Sequence, residues 1–529
     1  MSLIGKHALK EVLGEIPLTA EMYWLLRQPG KPISADFSLH RLQKLLPDWV
    51  AQAQASPYGH QSGKHIFIFG MLRYWIEHAT LLGLALAGLG HKITYSYLPY
   101  ARWNKSIDRF NIRRHNIYAG TLLKQAEPLL KIKPLLTARK ASGLPEELER
   151  AVEMVALRDT QYTLQVEEIN QDSELYRLRL ERDREAAQSA FALLQKEKPE
   201  QVLLPNGTIL EFGVIYQVAK YLGLPITTYE FGEQQKRIWL AHNGEVMRQN
   251  TDDLWEACQD RPLNEEQWAQ VKELFASRQR ASLWQNFAMR WQGVPSEGGA
   301  KVRQTLGLDD RPIVLLATNV IGDSLTLGRQ VFSDTMTGWL ESTVQFFANK
   351  PEVQFVARIH PGELITKGPS VADVVKRVLP NPPEHIHLVA ADAKINTYDL
   401  VEIADLGLVY TTTAGLEMAM SGLPVIAVGN THYRGKGFTL DPQTWEEYYQ
   451  TLNKVLEQPE KFRLSKEQVE RAWQYAYYFF FHYPQPFPWH LLHMRNDLEE
   501  WSMGRVLSQE GQALFGKTLN YLAGEPIEW

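Results

Sequence analysis

Between Pro312 and Val428 the chain repeats one device. A short apolar run ends in polar or small residues, and a helical pattern follows before the next run. The runs are Pro312-Ile-Val-Leu-Leu-Ala-Thr-Asn, Val353-Gln-Phe-Val-Ala-Arg-Ile, Ile386 to Val389, Leu406 to Tyr410 and Val425 to Val428. Runs this short and this continuously apolar, alternating with helices, predict strands of a parallel sheet covered on both faces. An open sheet of that kind binds ligands beyond the carboxyl ends of its strands. Function is therefore sought in the residues that follow each run.

Those residues carry usable chemistry. Arg358-Ile-His-Pro-Gly-Glu363 places His360 at a strand end, held by Pro361 and preceded by Arg358, where a cation or a ring N–H can donate to a phosphate oxygen. Thr411, Thr412 and Thr413 supply hydroxyls where the next helix must cap its free N–H groups, and such a helix start attracts a phosphate. Gly415 leaves room for close approach to the backbone. Glu417 suits a ribose diol better than a phosphate, because a carboxylate accepts hydrogen bonds and repels anions. Asn319, Gly322 and Asp323, after the first of these runs, are expected to flank the same site.

The first half of the chain shows the same grammar. His65-Ile-Phe-Ile-Phe reads as a buried strand ended by Gly70, a helix is expected from about Trp75 to Leu89, and Lys92-Ile-Thr-Tyr-Ser-Tyr reads as the next strand. Gly70, Arg73 and His78 then fall at or after a strand end, as candidates for substrate contact. Gln201-Val-Leu-Leu delivers Pro205-Asn-Gly-Thr to a loop, and Pro225-Ile-Thr-Thr-Tyr ends at Glu230-Phe-Gly-Glu233, so Asn206 and Glu230 should share one rim. Residues 145 to 198, dense in alternating charge, read as a solvated helical hairpin. Residues 1 to 60, broken by Pro17, Pro29, Pro32, Pro47 and Pro57, read as an N-terminal arm.

Bulk properties exclude several classes. A chain of 529 residues is too long for one ordinary core. A formal net charge of -5 gives no general pull toward nucleic acid. The single cysteine, Cys258, excludes an internal disulfide and a cysteine metal cluster, which fits a reducing cytoplasm. Leu81 to Gly90, the most apolar helical run, is far shorter than the roughly 20 residues that span a bilayer.

Taken together, several segments resemble a known family. Leu416-Glu-Met-Ala-Met-Ser-Gly-Leu-Pro-Val-Ile is similar to the nucleotide-binding segment of GT-B glycosyltransferases. His360-Pro361, Thr411 to Thr413 and Gly429-Asn-Thr-His-Tyr-Arg-Gly-Lys-Gly-Phe-Thr439 resemble the bacterial capsule polysaccharide biosynthesis glycosyltransferases, relatives of the Kdo transferases and of bacterial sialyltransferases. Glu230-Phe-Gly232 resembles the acidic-x-Gly motif of those enzymes. The resemblance covers about residues 200 to 440. It implies an α/β GT-B fold, two Rossmann-like domains facing across a cleft. It also implies phosphate contacts at His360 and Thr411 to Thr413, a ribose contact at Glu417, and a general base at Glu230, with Glu233 as the alternative. Where retaining enzymes of this fold carry a second glutamate, this chain has Val409, which points to inversion.

The implied activity is metal-independent transfer of a sugar from a nucleotide-sugar, a CMP-sugar by the His-Pro pattern, to a surface polysaccharide or glycolipid, with no cofactor. A glycerophosphotransferase using a CDP carrier, a sugar-nucleotide epimerase and a non-catalytic scaffold of a polysaccharide assembly complex remain open. The expected domains are 61–295, carrying a helical insertion, and 300–460, joined through Gly293-Val-Pro-Ser-Glu-Gly-Gly, with C-terminal helices over 461–529. The aromatic run Trp473 to Pro484 and Phe487-Pro-Trp-His has two readings. It packs between domains, the favoured one, or it makes a peripheral contact at the inner face of the membrane.

Overall fold

A computed structural model describes residues 3–27, 36–285, 287 and 292–529. Pro29 and Pro32, two of the expected breaks, lie outside them. The described strands are β1 (His65–Met71), β2 (Lys92–Leu98), β3 (Leu130–Pro134), β4 (Gln201–Pro205), β5 (Ile226–Glu230), β6 (Arg237–His242), β7 (Ile313–Ala317), β8 (Gln354–Arg358), β9 (Ile386–Val389), β10 (Leu406–Val409), β11 (Val425–Ala427) and β12 (Gln485–Pro486). They form two sheets, each within one of two compact units. The first unit comprises Met1–Thr160, Asn170–Met247 and Gln485–Glu528, and the second Gln161–Ile169, Arg248–Pro484 and Trp529.

The first unit holds a seven-stranded sheet in the order β12-β6-β5-β4-β1-β2-β3. β1 to β5 run parallel, while β6 and β12 are antiparallel additions at one edge. Strands β1, β2 and β4 are buried along nearly their whole length, as their apolar runs require. The N-terminal segment contributes the helix His40–Gln54, whose Leu42, Leu46 and Trp49 join this unit's core.

Two charged helices, Glu146–Leu164 and Glu174–Glu197, depart on their inner faces from the expected solvated hairpin. Arg179, Asp159, Asp183 and Glu211 are all fully buried. Arg179 donates to Asp159 at 3.1 Å, to Asp183 at 2.9 Å and to Glu211 at 2.9 Å. Burial pushes Asp159 up to about 6 and Asp183 well above the usual carboxylate range, with Arg179 opposing both. The buried stripe of the second helix, Arg179, Asp183, Ala186, Ala187, Ala190, Leu194, runs straight through its charges. That periodicity is the sign that Arg179 and Asp183 face inward.

The second unit holds a five-stranded, all-parallel sheet in the order β11-β10-β7-β8-β9. Within each unit the five parallel strands are arranged alike: counted along the chain, the third, second, first, fourth and fifth lie side by side. Each sheet therefore reverses direction next to its first strand, between β1 and β4 and between β7 and β10. In open α/β sheets that reversal opens the crevice where ligands bind.

The segment expected to link two domains lies inside the second unit. Glu297 N–H donates to Asp399 at 3.0 Å and Gly299 N–H to Glu402 at 2.9 Å, so the helix Thr397–Ile403 holds it in place. The C-terminal aromatic run is packed as well. Tyr475, Tyr483, Phe487 and Trp489 are each at most 2% exposed, and Phe479 stacks on His432 with ring centres 3.8 Å apart. No helix among the described residues is long and apolar enough to cross a membrane.

Candidate functional site

In the second unit, the exits of β7 and β10 are tied together across the reversal point. The Asn319 side-chain carbonyl accepts from Thr411 N–H at 3.1 Å. Thr411 in turn donates its hydroxyl to the Leu325 carbonyl at 2.9 Å, so that hydroxyl is committed to the loop after β7.

β8 delivers His360 beside them. Its N–H donates to Thr318 Oγ1 at 3.0 Å, and its ring Nδ1 accepts from Gly362 N–H at 2.9 Å. A ring nitrogen that accepts carries no proton, so the neutral imidazole holds its hydrogen on Nε2 and offers it as a donor. Burial lowers the His360 pKa; Asp323 opposes this and Arg358 adds to it. The group is thus a neutral donor at neutral pH, with both charged neighbours close enough to be felt. Pro361 opens the 3-10 turn Pro361–Ile365 and fixes the chain direction after the histidine.

Arg358, the last residue of β8, is 5% exposed and donates through Nη1 to the Ala390 carbonyl. Its Nε is buried and has no hydrogen-bond partner among the described residues. Burial lowers its pKa, against Asp392, but a guanidinium stays charged at neutral pH. Asp323 accepts from the Ser324 hydroxyl at 3.2 Å.

The exit of β10 differs from expectation. Thr413 is the cap residue of the helix Ala414–Met420, yet its side chain makes no capping bond. Ala414 N–H instead reaches Thr412 Oγ1 at 3.4 Å, and the next two N–H groups bond to the Thr412 and Thr413 carbonyls. The turn closes on itself. Gly415 is a glycine because Tyr433 lies against it, its hydroxyl donating to the Thr412 carbonyl at 2.6 Å. A Cβ there would strike that hydroxyl and meet Val409 at 2.8 Å. Glu417 pairs through Oε1 with Arg278, a 2% exposed residue whose guanidinium lies 4.9 Å from the Phe275 ring and 4.7 Å from Phe480. The sequence reading missed Arg278, although it continues the buried stripe Val271, Leu274, Phe275 of its own helix.

In the first unit, β4 and β5 bring Asn206 and Glu230 together. Asn206 Nδ2 donates to Glu230 Oε2 at 3.1 Å, while its Oδ1 accepts from Thr208 N–H at 3.0 Å and Ile209 N–H at 3.3 Å. Glu230 Oε1 accepts from Phe231 N–H at 3.0 Å. Burial raises the Glu230 pKa, and these two bonds to the charged form oppose the rise. The loop carrying Asn206 is anchored in turn to the buried charge cluster, since Leu210 N–H donates to Asp159 at 2.5 Å and Glu211 binds Arg179.

Two further side chains complete this rim. Trp239 lies so close to Gly232 that an added Cβ would meet its ring at 2.6 Å. His490 Nε2 donates to the Gly232 carbonyl at 3.1 Å, with burial lowering its pKa to about 4. His490 was hidden from sequence reasoning inside the aromatic C-terminal run. Glu233 is half-buried on the loop beyond Gly232.

The three remaining candidates of this unit each meet a local neighbour. Gly70 does not end its strand: β1 continues to Met71 and the helix Leu72–Gly88 begins at once. Its lack of a side chain accommodates the Tyr95 hydroxyl, which a Cβ would meet at 2.8 Å. Arg73 stacks on its neighbour Tyr74, 4.2 Å from the ring centre. His78 is fully buried in the core beside Tyr229, and burial lowers its pKa to about 3.

No family model matches the chain, and no curated protein matches it. Among solved structures it is similar to KpsC, a beta Kdo 2,4 transferase of Thermosulfurimonas dismutans, at 16% identity over 54% of this chain and 81% of that one, with a TM-score of 0.34. A beta Kdo 2,7 transferase KpsC of the same organism gives 14% identity, 59% and 89% coverage and a TM-score of 0.33. A UDP-GlcNAc 2-epimerase from Neisseria meningitidis gives 14%, 79% and 99%, with a TM-score of 0.25. Values at this level leave the assignment to the residues of the site itself.

Proposed function

We propose that the chain is an inverting sugar transferase of the GT-B type, in which the second unit binds a nucleotide-sugar and the first activates the acceptor. The observation that carries this reading is the pair at the end of β8. A neutral His360 with its proton on Nε2 lies within electrostatic reach of Arg358, whose buried Nε–H has no partner among the described residues. A buried donor left without a partner is unfavourable by roughly 1–3 kcal/mol, and an anionic ligand relieves it. A nucleotide phosphate suits both groups, and the resemblance of the His360-Pro361 segment favours a CMP-sugar.

In the reaction, Glu230 takes the proton of an acceptor hydroxyl as that oxygen attacks the anomeric carbon. The bond from that carbon to the phosphate oxygen breaks, and its electron pair leaves with the nucleotide. Arg358 and His360 stabilise the charge that accumulates there. A carboxylate whose pKa is raised by burial is the stronger base, and Asn206 fixes one of its oxygens. The acceptor is a surface polysaccharide or glycolipid.

The test is a thermal-shift screen with CMP, CDP, UDP and GDP, since a nucleotide that binds only the folded chain raises its melting temperature. One nucleotide should stabilise the protein, and His360→Ala should remove most of that shift. Glu230→Gln should keep the shift and abolish transfer, measured by product analysis with the matching nucleotide-sugar. Near-normal turnover in Glu230→Gln would exclude Glu230 as the base. A product whose transferred group is not a sugar would exclude the transferase class.

A further inference from the structure

The segment Gln161–Ile169 belongs to the second unit although the residues on either side of it belong to the first. Its seat is tailored. Gln165, in the left-handed region at φ 56°, accepts through its side chain from Lys367 N–H at 2.8 Å. Gly322 and Gly368 have no room for a Cβ, because Val166 N and the Gln165 carbonyl stand where one would go. The segment thus rests on the loops that follow β7 and β8, which carry Asp323 and His360.

Its most specific contact is made by Glu167. The two carboxylate oxygens accept from Met336 N–H at 2.7 Å and from Thr337 N–H at 2.8 Å, the first free donors of the helix Met336–Ala348. The third, Gly338 N–H, is capped by Thr335 Oγ1 at 2.9 Å. A helix start with two convergent N–H groups favours an anion, and here an anion from the chain itself fills it.

A second observation concerns Tyr410. It is 1% exposed, and its hydroxyl has no hydrogen-bond partner among the described residues. Its ring lies 5.8 Å from that of Trp339 in the first turn of the same helix. Burial raises its pKa, Glu167 adds to the rise and Arg329 opposes it, so the hydroxyl sits within the field of the Glu167 carboxylate. Both Glu167 oxygens accept from the helix, and neither bonds the Tyr410 hydroxyl. A phosphate has a third.

We propose that the start of the helix Met336–Ala348 is a phosphate seat that Glu167 occupies in this form of the chain, and that a phosphate group of the nucleotide ligand takes it by displacing Glu167. Two phosphate oxygens would accept from Met336 and Thr337 N–H, and the third from the Tyr410 hydroxyl, completing the donor that the carboxylate leaves over. The segment Gln161–Ile169 is then a latch released by the ligand. The identity of the ligand rests on the nucleotide-sugar reading; the existence of the seat does not.

Two measurements on the full chain separate these. In Glu167→Ala the seat is vacant, so inorganic phosphate should raise the melting temperature of the variant by several degrees more than that of the unsubstituted chain. General salt stabilisation appears equally in both and cancels. Equal shifts would overturn the seat. Hydrogen exchange of the unsubstituted chain with the nucleotide found by the screen should show faster exchange over 161–169 together with slower exchange at Met336 and Thr337. Protection of the His360 loop with 161–169 unchanged or slowed would overturn displacement while leaving the transferase reading intact. If no nucleotide binds, that reading fails, and the phosphate shift of Glu167→Ala alone decides the seat.

Discussion

Asn206 does two things at once. It closes its own turn by accepting from two backbone N–H groups, and it holds one oxygen of Glu230. Asn206→Ala removes a bond that favours the charged carboxylate, so the Glu230 pKa should rise and the acid limb of the pH–rate profile should move to higher pH. Stability should fall by about 1–3 kcal/mol, read from urea midpoints. His115 offers a cleaner pH test. Burial lowers it to about 4, its ring stacks on Phe37 at 4.7 Å and its Nδ1 donates to the Pro99 carbonyl at 3.2 Å. Below the ordinary imidazole value of 6.5 the unfolded chain takes up a proton that the folded chain refuses, so His115 costs stability progressively as pH falls from 6.5 to about 4. His115→Gln should therefore gain on the unsubstituted chain across that window, by roughly 3 kcal/mol at its lower end at about 1.4 kcal/mol per pKa unit. At this scale the sequence placed Asn206, Glu230, Arg358 and His360 at strand ends, because strand ends are legible from apolar runs. It could not give Glu417 its partner, since Arg278 lies far off in the chain and only the fold brings it near.

The buried charge cluster is a property of three helices and not of one residue. Arg179 joins Glu146–Leu164, its own helix Glu174–Glu197 and Leu210–Tyr221, through Asp159, Asp183 and Glu211. Arg179→Met leaves buried carboxylates without their cation and should cost about 3–5 kcal/mol, measured by urea denaturation. Arg179→Lys should fare little better, because an ammonium's three donors cannot replace a guanidinium's fork. Strands were the most legible elements. β1, β2, β4 and β5 and every strand of the second sheet lie within a residue or two of their apolar runs. β3 and β6 were not foreseen. β3 alternates Leu130, Lys131, Ile132 and Lys133 at an edge, where lysines guard against further pairing and dilute the apolar signal. β6 runs antiparallel, outside the repeating strand-then-helix grammar. The charged helices depart from expectation on one face only: Glu146, Glu147, Arg150, Arg177, Glu181 and Glu185 are exposed, while Arg179, Arg182 and Asp183 turn inward.

At the scale of the molecule, the first unit is assembled from three separated stretches of chain. Its core includes Phe487, Trp489, Trp501, Leu519 and Leu522, packed with residues of β1, β2 and the helix His40–Gln54. A chain ending at Pro484 lacks all five and should be recovered mainly as aggregate, whereas the full chain should be soluble; sedimentation of the two expressed side by side is the measurement. During synthesis the same arrangement sets an order of events. The ribosome releases all but one residue of the second unit before it supplies the last stretch of the first. At about 5–20 residues per second, the early β1 to β5 segment must wait on the order of tens of seconds after Met247 emerges for the aromatic residues that complete its core. The half of the protein that is made first is thus the half that matures last, and in the interval it is a client for whatever shields unfinished apolar surface in the cell.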